Sequence, residues 1–325
     1  MPCKPLFAPG CALLGLLTGL FGLVLPLSGQ PAPAFVHQED FSTNLVTNRV
    51  PKWSGTRLVV VDYDGTDLPV IRSIDREGRD EEIALEIPGA KGIHVFDYAA
   101  GFDGAIAAVG YAFTADSPEE QHYLVWISPD RKRRTVVRLS PYVALGVALA
   151  GDGSIWTIGG MRSRSRSRGE ARSVLRRFDP SGQVLASSVP NGRARANIAP
   201  EAASMSYLFA SPDRVGWLTN GNQFIEFALD GRELGRFDGP PGLDHLDTSG
   251  VAMDAENEVL VGDKREGRFE VWRLNRSKRA WEPVSLNWPG KPRFSRILGF
   301  DGTTLIAWES HRKIHRHART LPRGS

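Results

Sequence analysis

Cysteine is scarce in this chain and is confined to its beginning. The sequence contains two cysteines in 325 residues, Cys3 and Cys11, and both precede Phe35. If residues 1–34 are removed, the remaining chain cannot form a disulfide bond, even in a compartment that permits one. Stability must then come from burial of apolar side chains, and a chain of about 290 residues is long enough to bury a large core.

The sequence also lacks an excess of one charge and the common catalytic motifs. It contains 40 basic and 37 acidic residues, whereas a general nucleic-acid-binding protein usually shows a dominant basic excess. We find no Gly-x-Ser-x-Gly turn, no His-Glu-x-x-His pair and no phosphate-binding loop. We therefore expect no nucleic-acid partner, no cofactor and none of these enzyme classes.

Residues 1–34 are predicted to be a signal peptide. Lys4 is their only charged residue, and Ala12–Leu27 is apolar but too short and too rich in glycine for a comfortable membrane span. The small residues Ala32–Ala34 favour cleavage before Phe35, with cleavage after Gly29 as an alternative. This predicts a secreted or periplasmic protein. Membrane contact is expected only if the segment stays uncleaved as an anchor.

A unit of two short apolar strands joined by a polar Gly/Asp turn recurs about every 45 to 60 residues, a period typical of propellers and arrays. Residues 146–160 align with residues 250–263, so that Gly146 matches Gly250 and Ile155 matches Val259. Looser copies lie at 97–111, 206–221 and 296–310. A second kind of hairpin, richer in arginine and glutamate, lies between them at 70–87, 124–139, 174–189, 224–237 and 269–286.

The alternation of the two hairpins predicts an all-β fold, a β-propeller with four-stranded blades. The apolar hairpin supplies the two inner strands, which neighbouring blades cover on both faces, and the charged hairpin supplies the two outer strands. Trp156 is predicted to pack in the inner layer of its blade. Six blades are favoured over five, with 44–50 as the innermost strand of the first blade.

The two termini are predicted to close the ring together. Residues 35–41 and 315–319 would complete the last blade, which leaves no exposed sheet edge. The domain organisation expected is thus a signal peptide at 1–34, the propeller at 35–318 and a basic tail at 319–325.

The segment 249–274 resembles an NHL repeat, the module of six-bladed propellers similar in shape to TolB and the gluconolactonase group. The matching residues are Gly250–Asp254, Val259–Val261, Asp263, Arg268 and Val271. The resemblance implies a propeller that binds something on one face, and it does not imply an activity.

Gluconolactonase-type propellers hold a divalent cation on the channel axis with a glutamate, asparagines and an aspartate from different blades. Residues 189–193 faintly resemble one asparagine-bearing motif of that group, but the glutamate-bearing motif of its first blade is not recognisable here. A metal-dependent hydrolase or lactonase is therefore an alternative function, and no metal site is assigned.

Candidate ligand-binding residues lie near the long links between strand pairs, which we expect to ring the channel mouth because long loops on a rigid scaffold often carry function. His94 and Asp97 begin an inner strand, and the alternative for His94 is a buried structural histidine. Asn220 and Asn222 lie at another blade link, where Asn-Gly also signals a turn.

The densest polar cluster, 243–250, contains Asp244, His245 and Asp247. We expect it to make ligand contacts without holding a metal, since a metal on the propeller axis would draw ligands from several blades. A turn before a strand is the alternative. His315 and His317 share one face of an extended strand, but the surrounding arginines disfavour a cation there.

A basic run at 162–168 is predicted to be a flexible projection, because alternating serine and arginine cannot bury a core. Its residues Arg162, Arg164, Arg166 and Arg168 are candidates for contact with an acidic partner, with a solvated loop as the alternative. The function predicted from sequence is an exported module that binds an unknown protein or small-molecule ligand. The alternatives are the metal-dependent hydrolase and a membrane-anchored structural protein of the cell envelope.

Overall fold

The strands of the chain form six antiparallel sheets that follow one another along the sequence. The computed structural model describes residues 35–42, 51–54, 57–63, 67–75, 78–114, 117–161, 174–188, 207–219, 222–243, 248–265, 268–287, 294–309 and 313–320. This part of the chain consists of strands and their connections, and it holds no helix suited to crossing a membrane. The all-β prediction is confirmed.

Each of the first five sheets is a four-stranded blade whose strands run outward from the centre in chain order. Blade 1 contains β2 (Lys52–Ser54), β3 (Arg57–Asp62), β4 (Val70–Ile74) and β5 (Asp80–Ala84). Blade 2 contains β6 (Ala90–Ala100), β7 (Ile106–Thr114), β8 (Ser117–Ile127) and β9 (Arg134–Arg138). Blade 3 contains β10 (Tyr142–Leu149), β11 (Ile155–Met161), β12 (Val174–Phe178) and β13 (Val184–Ser188). Blade 4 contains β14 (Tyr207–Ala210), β15 (Arg214–Leu218), β16 (Gln223–Ala228) and β17 (Glu233–Asp238). Blade 5 contains β18 (Thr248–Met253), β19 (Val259–Arg265), β20 (Arg268–Asn275) and β21 (Ala280–Val284).

Blade 6 is built from both ends of the chain. The strands β23 (Phe294–Phe300), β24 (Thr304–Glu309) and β25 (Lys313–Arg319) are followed by β1 (Phe35–Ser42), which pairs antiparallel with β25. Phe35 is the register partner of Arg319. The short strand β22 (Leu286–Asn287) adds a parallel partner to β1 at the outer edge. The predicted closure by strands from both termini is confirmed.

The core lies between the blades rather than in one central mass. Six apolar clusters occupy the six interfaces between neighbouring blades. The last cluster joins Leu58 and Val60 of blade 1 to Leu298, Ile306 and Ile314 of blade 6, so the ring is closed. Six blades are thus confirmed, and the five-blade alternative is wrong.

The second strand of a blade, counted from the centre of the ring, shows why the inner hairpins are continuously apolar. On β7, Ile106 and Ala108 pack toward blade 1, whereas Ala107 and Val109 pack toward blade 3. Trp156 on β11 is 1% exposed and packs in the cluster between blades 3 and 4. The prediction that Trp156 packs in the inner layer is confirmed.

The predicted innermost strand of blade 1 was misplaced. Lys52–Ser54, not 44–50, pairs with β3, with Lys52 opposite Val59 and Ser54 opposite Arg57. This pairing leaves a two-residue connection, the commonest length for a hairpin. The segment 44–50 itself lies outside the described residues.

Aspartates stabilise the turns between the inner strands. Asp152 accepts a hydrogen bond from the Ser154 backbone N–H at 2.9 Å, and Asp103 accepts one from the Ala105 N–H at the same distance. Aspartate side chains favour such turns because they bond backbone amides two residues further on. The Gly/Asp turns of the repeat are therefore structural, and they define one face of the propeller, called here the hairpin-turn face.

Candidate functional site

A cavity of about 750 Å³ lies at the centre of the ring. All six inner strands contribute to its wall, and its lining extends to the hairpin-turn face through Phe102, Ala255 and Thr303. This volume falls in the range of small-molecule sites, about 300 to 1,000 Å³. The cavity is therefore large enough for a small organic ligand.

The polar side chains that line this cavity include four that come from inner strands of four different blades. We call them the channel belt: Lys52 of blade 1, Asp97 of blade 2, Tyr207 of blade 4 and Arg296 of blade 6. β-Bulges interrupt the inner strands beside the belt, between Val95 and Asp97 and between Phe294 and Arg296. Bulges re-aim side chains and are common next to binding sites.

Two of the belt residues, Asp97 and Tyr207, occupy equivalent positions in their blades. Each lies four residues before the residue that opens the turn between the two inner strands. Gly101, Ala150, Ser211 and Asp254 each donate the backbone hydrogen bond that opens the turn of their hairpin. Four residues before each donor lie, respectively, Asp97, Gly146, Tyr207 and Gly250. The same place is thus polar on blades 2 and 4 and a glycine on blades 3 and 5.

Asp97 connects three blades. One carboxylate oxygen forms an ion pair with Nζ of Lys52, and the other accepts a hydrogen bond from the Val147 backbone N–H at 2.9 Å. The Lys52 ammonium also lies 5.3 Å from the ring centroid of Tyr98. Each carboxylate oxygen of Asp97 therefore has a protein partner, and the negative charge of Asp97 neutralises Lys52.

Arg296 reaches across blade 5 to blade 4. Its Nη2 donates a hydrogen bond to the Tyr207 hydroxyl at 2.8 Å, and the guanidinium carbon lies 5.5 Å from the Tyr207 ring centroid. Gly250 makes room for this reach, because a Cβ atom there would lie 2.9 Å from Cγ of Arg296 and 2.1 Å from the Ile297 carbonyl oxygen. Gly250 also has a φ of +93°, which disfavours other residues.

The rest of the cavity wall is mainly apolar, as in most small-molecule sites. Val147, Leu149, Met253 and Phe300 are buried in the wall, while Phe102 is 46% exposed at the rim. The belt provides two cations and one carboxylate, and Asp254, Asp301 and Thr303 add polar groups to the wall near the hairpin-turn face.

Asp254 lines the cavity, but its carboxylate stabilises the turn between β18 and β19. Its carboxylate accepts hydrogen bonds from the backbone N–H groups of Glu256 at 3.0 Å and Glu258 at 2.7 Å. Burial raises the pKa of Asp254 above its ordinary value of 3.8, although the two backbone donors act in the opposite direction.

The two candidates predicted on β6, the innermost strand of blade 2, lie in different environments. Asp97 lies in the belt, but His94 belongs to an aromatic group on blade 2 that also contains Phe96, Tyr111 and Phe113. The His94 ring stacks on Tyr111 with centroids 5.0 Å apart and an interplanar angle of 21°. His94 is therefore not part of the cavity wall.

Asn222 has a local structural role. It adopts a φ of +55°, its N–H donates to the Thr219 carbonyl at 3.1 Å, and its carbonyl accepts from the Gly239 N–H at 2.7 Å. These bonds fix the turn between β15 and β16 and attach the residue that follows β17 to it. Asn220, Asp244, His245, Asp247, Arg162, Arg164, Arg166 and Arg168 lie outside the described residues.

The tail histidines belong to the closing blade. His315 Nε2 lies 3.0 Å from Oε2 of Glu309, and the His37 ring lies 5.3 Å from that of His317. Among the described residues, no group of three histidine, cysteine, aspartate or glutamate side chains is arranged to hold a metal ion.

Sequence reasoning missed Lys52, Tyr207 and Arg296. It concentrated on the long links, whereas the cavity wall runs from the inner strands to the hairpin-turn face. The four-residue spacing from the turn donor would have identified Tyr207, but Lys52 lies on a misplaced strand. Arg296 lies beside two bulges, which shift the register by amounts that no sequence pattern reveals.

No protein-family model matches this chain, and no curated protein matches it significantly. Among solved structures, virginiamycin B lyase from Staphylococcus aureus is 13% identical, with 87% of this chain and 99% of that chain covered and a TM-score of 0.49. A Bacteroides caccae protein of unknown function is 14% identical, with 81% and 90% covered and a TM-score of 0.48. BBS1N, solved in complex with ARL6DN, is 11% identical, with 90% and 99% covered and a TM-score of 0.49. The propeller assignment depends on the six sheets of the chain itself, and the chain is a six-bladed β-propeller.

Proposed function

We propose that this chain is an exported binding module that holds a small ligand in its central cavity. The observation that carries the proposal is the channel belt, in which polar side chains from four blades line one cavity of small-molecule size. Convergent polar groups in a mainly apolar pocket are the usual features of a ligand site.

The donor set of the belt favours binding over metal-dependent hydrolysis, the alternative function. A divalent cation needs several carboxylate, amide or imidazole donors. The described wall contains three carboxylates, which are not arranged as a metal site. Asp97 is engaged by Lys52 and by the Val147 N–H, and Asp254 and Asp301 bind backbone N–H groups of their turns. Arg296, the belt cation that is not paired with Asp97, would repel a metal ion and attract an anion.

Export is the second part of the proposal, and it depends on the features of residues 1–34 given above. The strand β1, which closes blade 6, is described from Phe35 onward. Cleavage before Phe35 would retain this described strand. Mass spectrometry of the exported protein should give a chain that begins at Phe35, and an intact Met1 in a membrane fraction would refute the cleavage.

Kinship with NHL-type propellers is also proposed. It is supported by the repeat at 249–274, in which Val259–Val261 is a buried inner strand and Gly250 takes the positive φ that a glycine accommodates. This kinship implies a propeller that binds on one face, in agreement with the cavity proposed as the site.

The binding proposal can be tested with two fluorescent probes of the same shape. One is 8-anilinonaphthalene-1-sulfonate, called the sulfonate probe; the other is N-phenyl-1-naphthylamine, called the neutral probe, which lacks the sulfonate. We expect at least one probe to bind with one-to-one stoichiometry.

Two tryptophan substitutions locate the binding. Ala255→Trp places a large ring on the exposed rim of the cavity, and Ala280→Trp places the same ring on an exposed strand end that is not part of the wall. We expect the rim variant to weaken probe binding and the control to leave it unchanged. Absence of saturable binding by either probe, or equal behaviour of the two variants, would refute the proposed site.

A further inference from the structure

We infer that the ligand of the central cavity is an organic oxyanion, with its charged group on Arg296 and its apolar body directed toward the hairpin-turn face. This inference rests on the proposed function, since it names the class of ligand for the same cavity. It makes Arg296 the residue that determines specificity for charge.

The first observation is the charge state of the belt. Lys52 is paired with Asp97, but within the described residues no carboxylate lies at ion-pair distance from Arg296. Other arginines of the propeller are paired, as Arg131 is with both carboxylate oxygens of Glu81, at 2.8 and 2.9 Å. Two further carboxylates of the wall, Asp254 and Asp301, accept hydrogen bonds from backbone N–H groups of their own turns. Arg296 therefore brings to the cavity a positive charge with which no carboxylate of the described wall forms an ion pair.

The second observation is the number of donors that Arg296 retains. A guanidinium has five N–H donors in a planar fork, which suits the two oxygens of a carboxylate or the oxygens of a phosphate. Arg296 uses Nη2 to bind the Tyr207 hydroxyl. This bond and the position of the guanidinium over the Tyr207 ring hold the side chain across the cavity, with donors left for a ligand.

The third observation is the room that the fold leaves for this side chain. A Cβ atom at Gly250 would collide with the path of Arg296, at 2.9 Å from its Cγ. The arginine thus crosses blade 5 through a gap that depends on a glycine. A side chain directed to solvent would need no such gap.

The fourth observation is the wall below the belt. Ala99, Ala100 and Ala210 are partly exposed in this wall, and Phe102 is 46% exposed at the rim. A simple inorganic anion would leave this surface uncovered. An anion with an apolar body would cover it, and burial of apolar surface adds to the affinity.

The two probes test the inference, because they differ only in the anionic group. We expect the wild-type protein to bind the sulfonate probe about tenfold more tightly than the neutral probe, since hydrogen bonds to charged groups are among the strong ones. Arg296→Gln should abolish this preference by weakening the sulfonate probe about tenfold, with little effect on the neutral probe. The matched control is Arg138→Gln, which changes an exposed arginine on β9 and should leave both affinities unchanged.

The outcomes distinguish failure of the oxyanion inference from failure of the proposed function. If both probes bind equally in the wild type and Ala255→Trp weakens both, the proposed function stands and the oxyanion inference is wrong. If neither binds, the proposed function itself fails. If Arg296→Gln does not fold, judged by its melting transition, Tyr207→Phe decides. It removes the hydroxyl that holds Arg296, and it should reduce the preference for the sulfonate probe; an unchanged preference overturns the inference.

Competition identifies the kind of oxyanion. Octanoate and octyl phosphate carry the same chain with a carboxylate or a phosphate group, and octanol is the uncharged control. We expect one or both anions to displace the sulfonate probe at concentrations at which octanol does not. Equal displacement by octanol would show that the apolar chain alone is recognised, and it would overturn the inference.

Discussion

Asp97 offers a sharp test of how the belt is held together. Its two carboxylate oxygens serve different partners: one binds Lys52 of blade 1 and the other accepts the Val147 N–H of blade 3. Asp97→Ala removes both interactions, whereas Asp97→Asn keeps an oxygen for the N–H and loses the ion pair. Comparison of the two variants therefore separates the two contributions.

The structure sets the expected size of each contribution. Val147 is fully buried, so loss of the acceptor leaves its N–H unsatisfied at a cost of about 1 to 3 kcal/mol. The Lys52 side chain is 37% exposed, so the ion pair should contribute less than about 1 kcal/mol. We expect Asp97→Asn to cost less than about 1 kcal/mol and Asp97→Ala to cost about 1 to 3 kcal/mol more.

Urea unfolding midpoints of the two variants and the wild type measure these differences. An alanine variant as stable as the asparagine variant would show that the Val147 N–H finds another acceptor, and the bridging role would be refuted. Probe binding supplies a second readout. Asp97→Asn leaves Lys52 without its counter-ion, so the sulfonate probe should bind more tightly; weaker binding would mean that Asp97 contacts the ligand itself.

Four further predictions concern other parts of the chain. Trp156→Ala should destabilise by about 3 to 5 kcal/mol, because it empties a fully buried site; an unchanged urea midpoint would contradict the packing. Replacement of 162–168 by a Gly-Ser link should lower the melting temperature by less than about 5 °C, and a larger fall would show that the run packs. The loop 243–250 should not bind zinc, calcium or manganese tightly; stoichiometric binding in a titration that is lost both in Asp244→Ala and in His245→Ala would contradict this. Hydrogen bonds, first from Lys278, lower the pKa of Glu282 to about 2 from its ordinary 4.5. Its contribution is therefore full above about pH 4.5 and is lost as the pH falls toward about 2, so Glu282→Gln should be slightly less stable at pH 6, with a difference in urea midpoint that vanishes near pH 2.

The sequence was sufficient for the architecture because the repeat has a direct physical cause. Inner strands must be apolar on both faces, since a neighbouring blade covers each face, and β7 shows both coverings. Turn aspartates such as Asp152 mark the hairpins. Both features are local, so the sequence predicts them without information on how the blades are arranged.

The site was only partly predictable, because its geometry is not local. Asp97 could be proposed from its place on an inner strand, but the sequence does not show that its partners Lys52 and Val147 belong to two other blades. Arg296 depends on two bulges and on a glycine of the preceding blade. A sequence pattern shows a glycine, but it does not show which side chain passes through the space that the glycine leaves.

The pairing of Phe35 with Arg319 has a consequence for how the molecule is made. Among the described strands, β1 comes first and β25 last, so their pairing in blade 6 can form only after the other five blades have been synthesised. Pairings between such distant segments are slow, because loop entropy is lost before the contact forms. Until then, β25 keeps an open edge on which another chain can add a strand. The last step of folding is therefore also the step at which two unfinished molecules are most able to exchange their first strands.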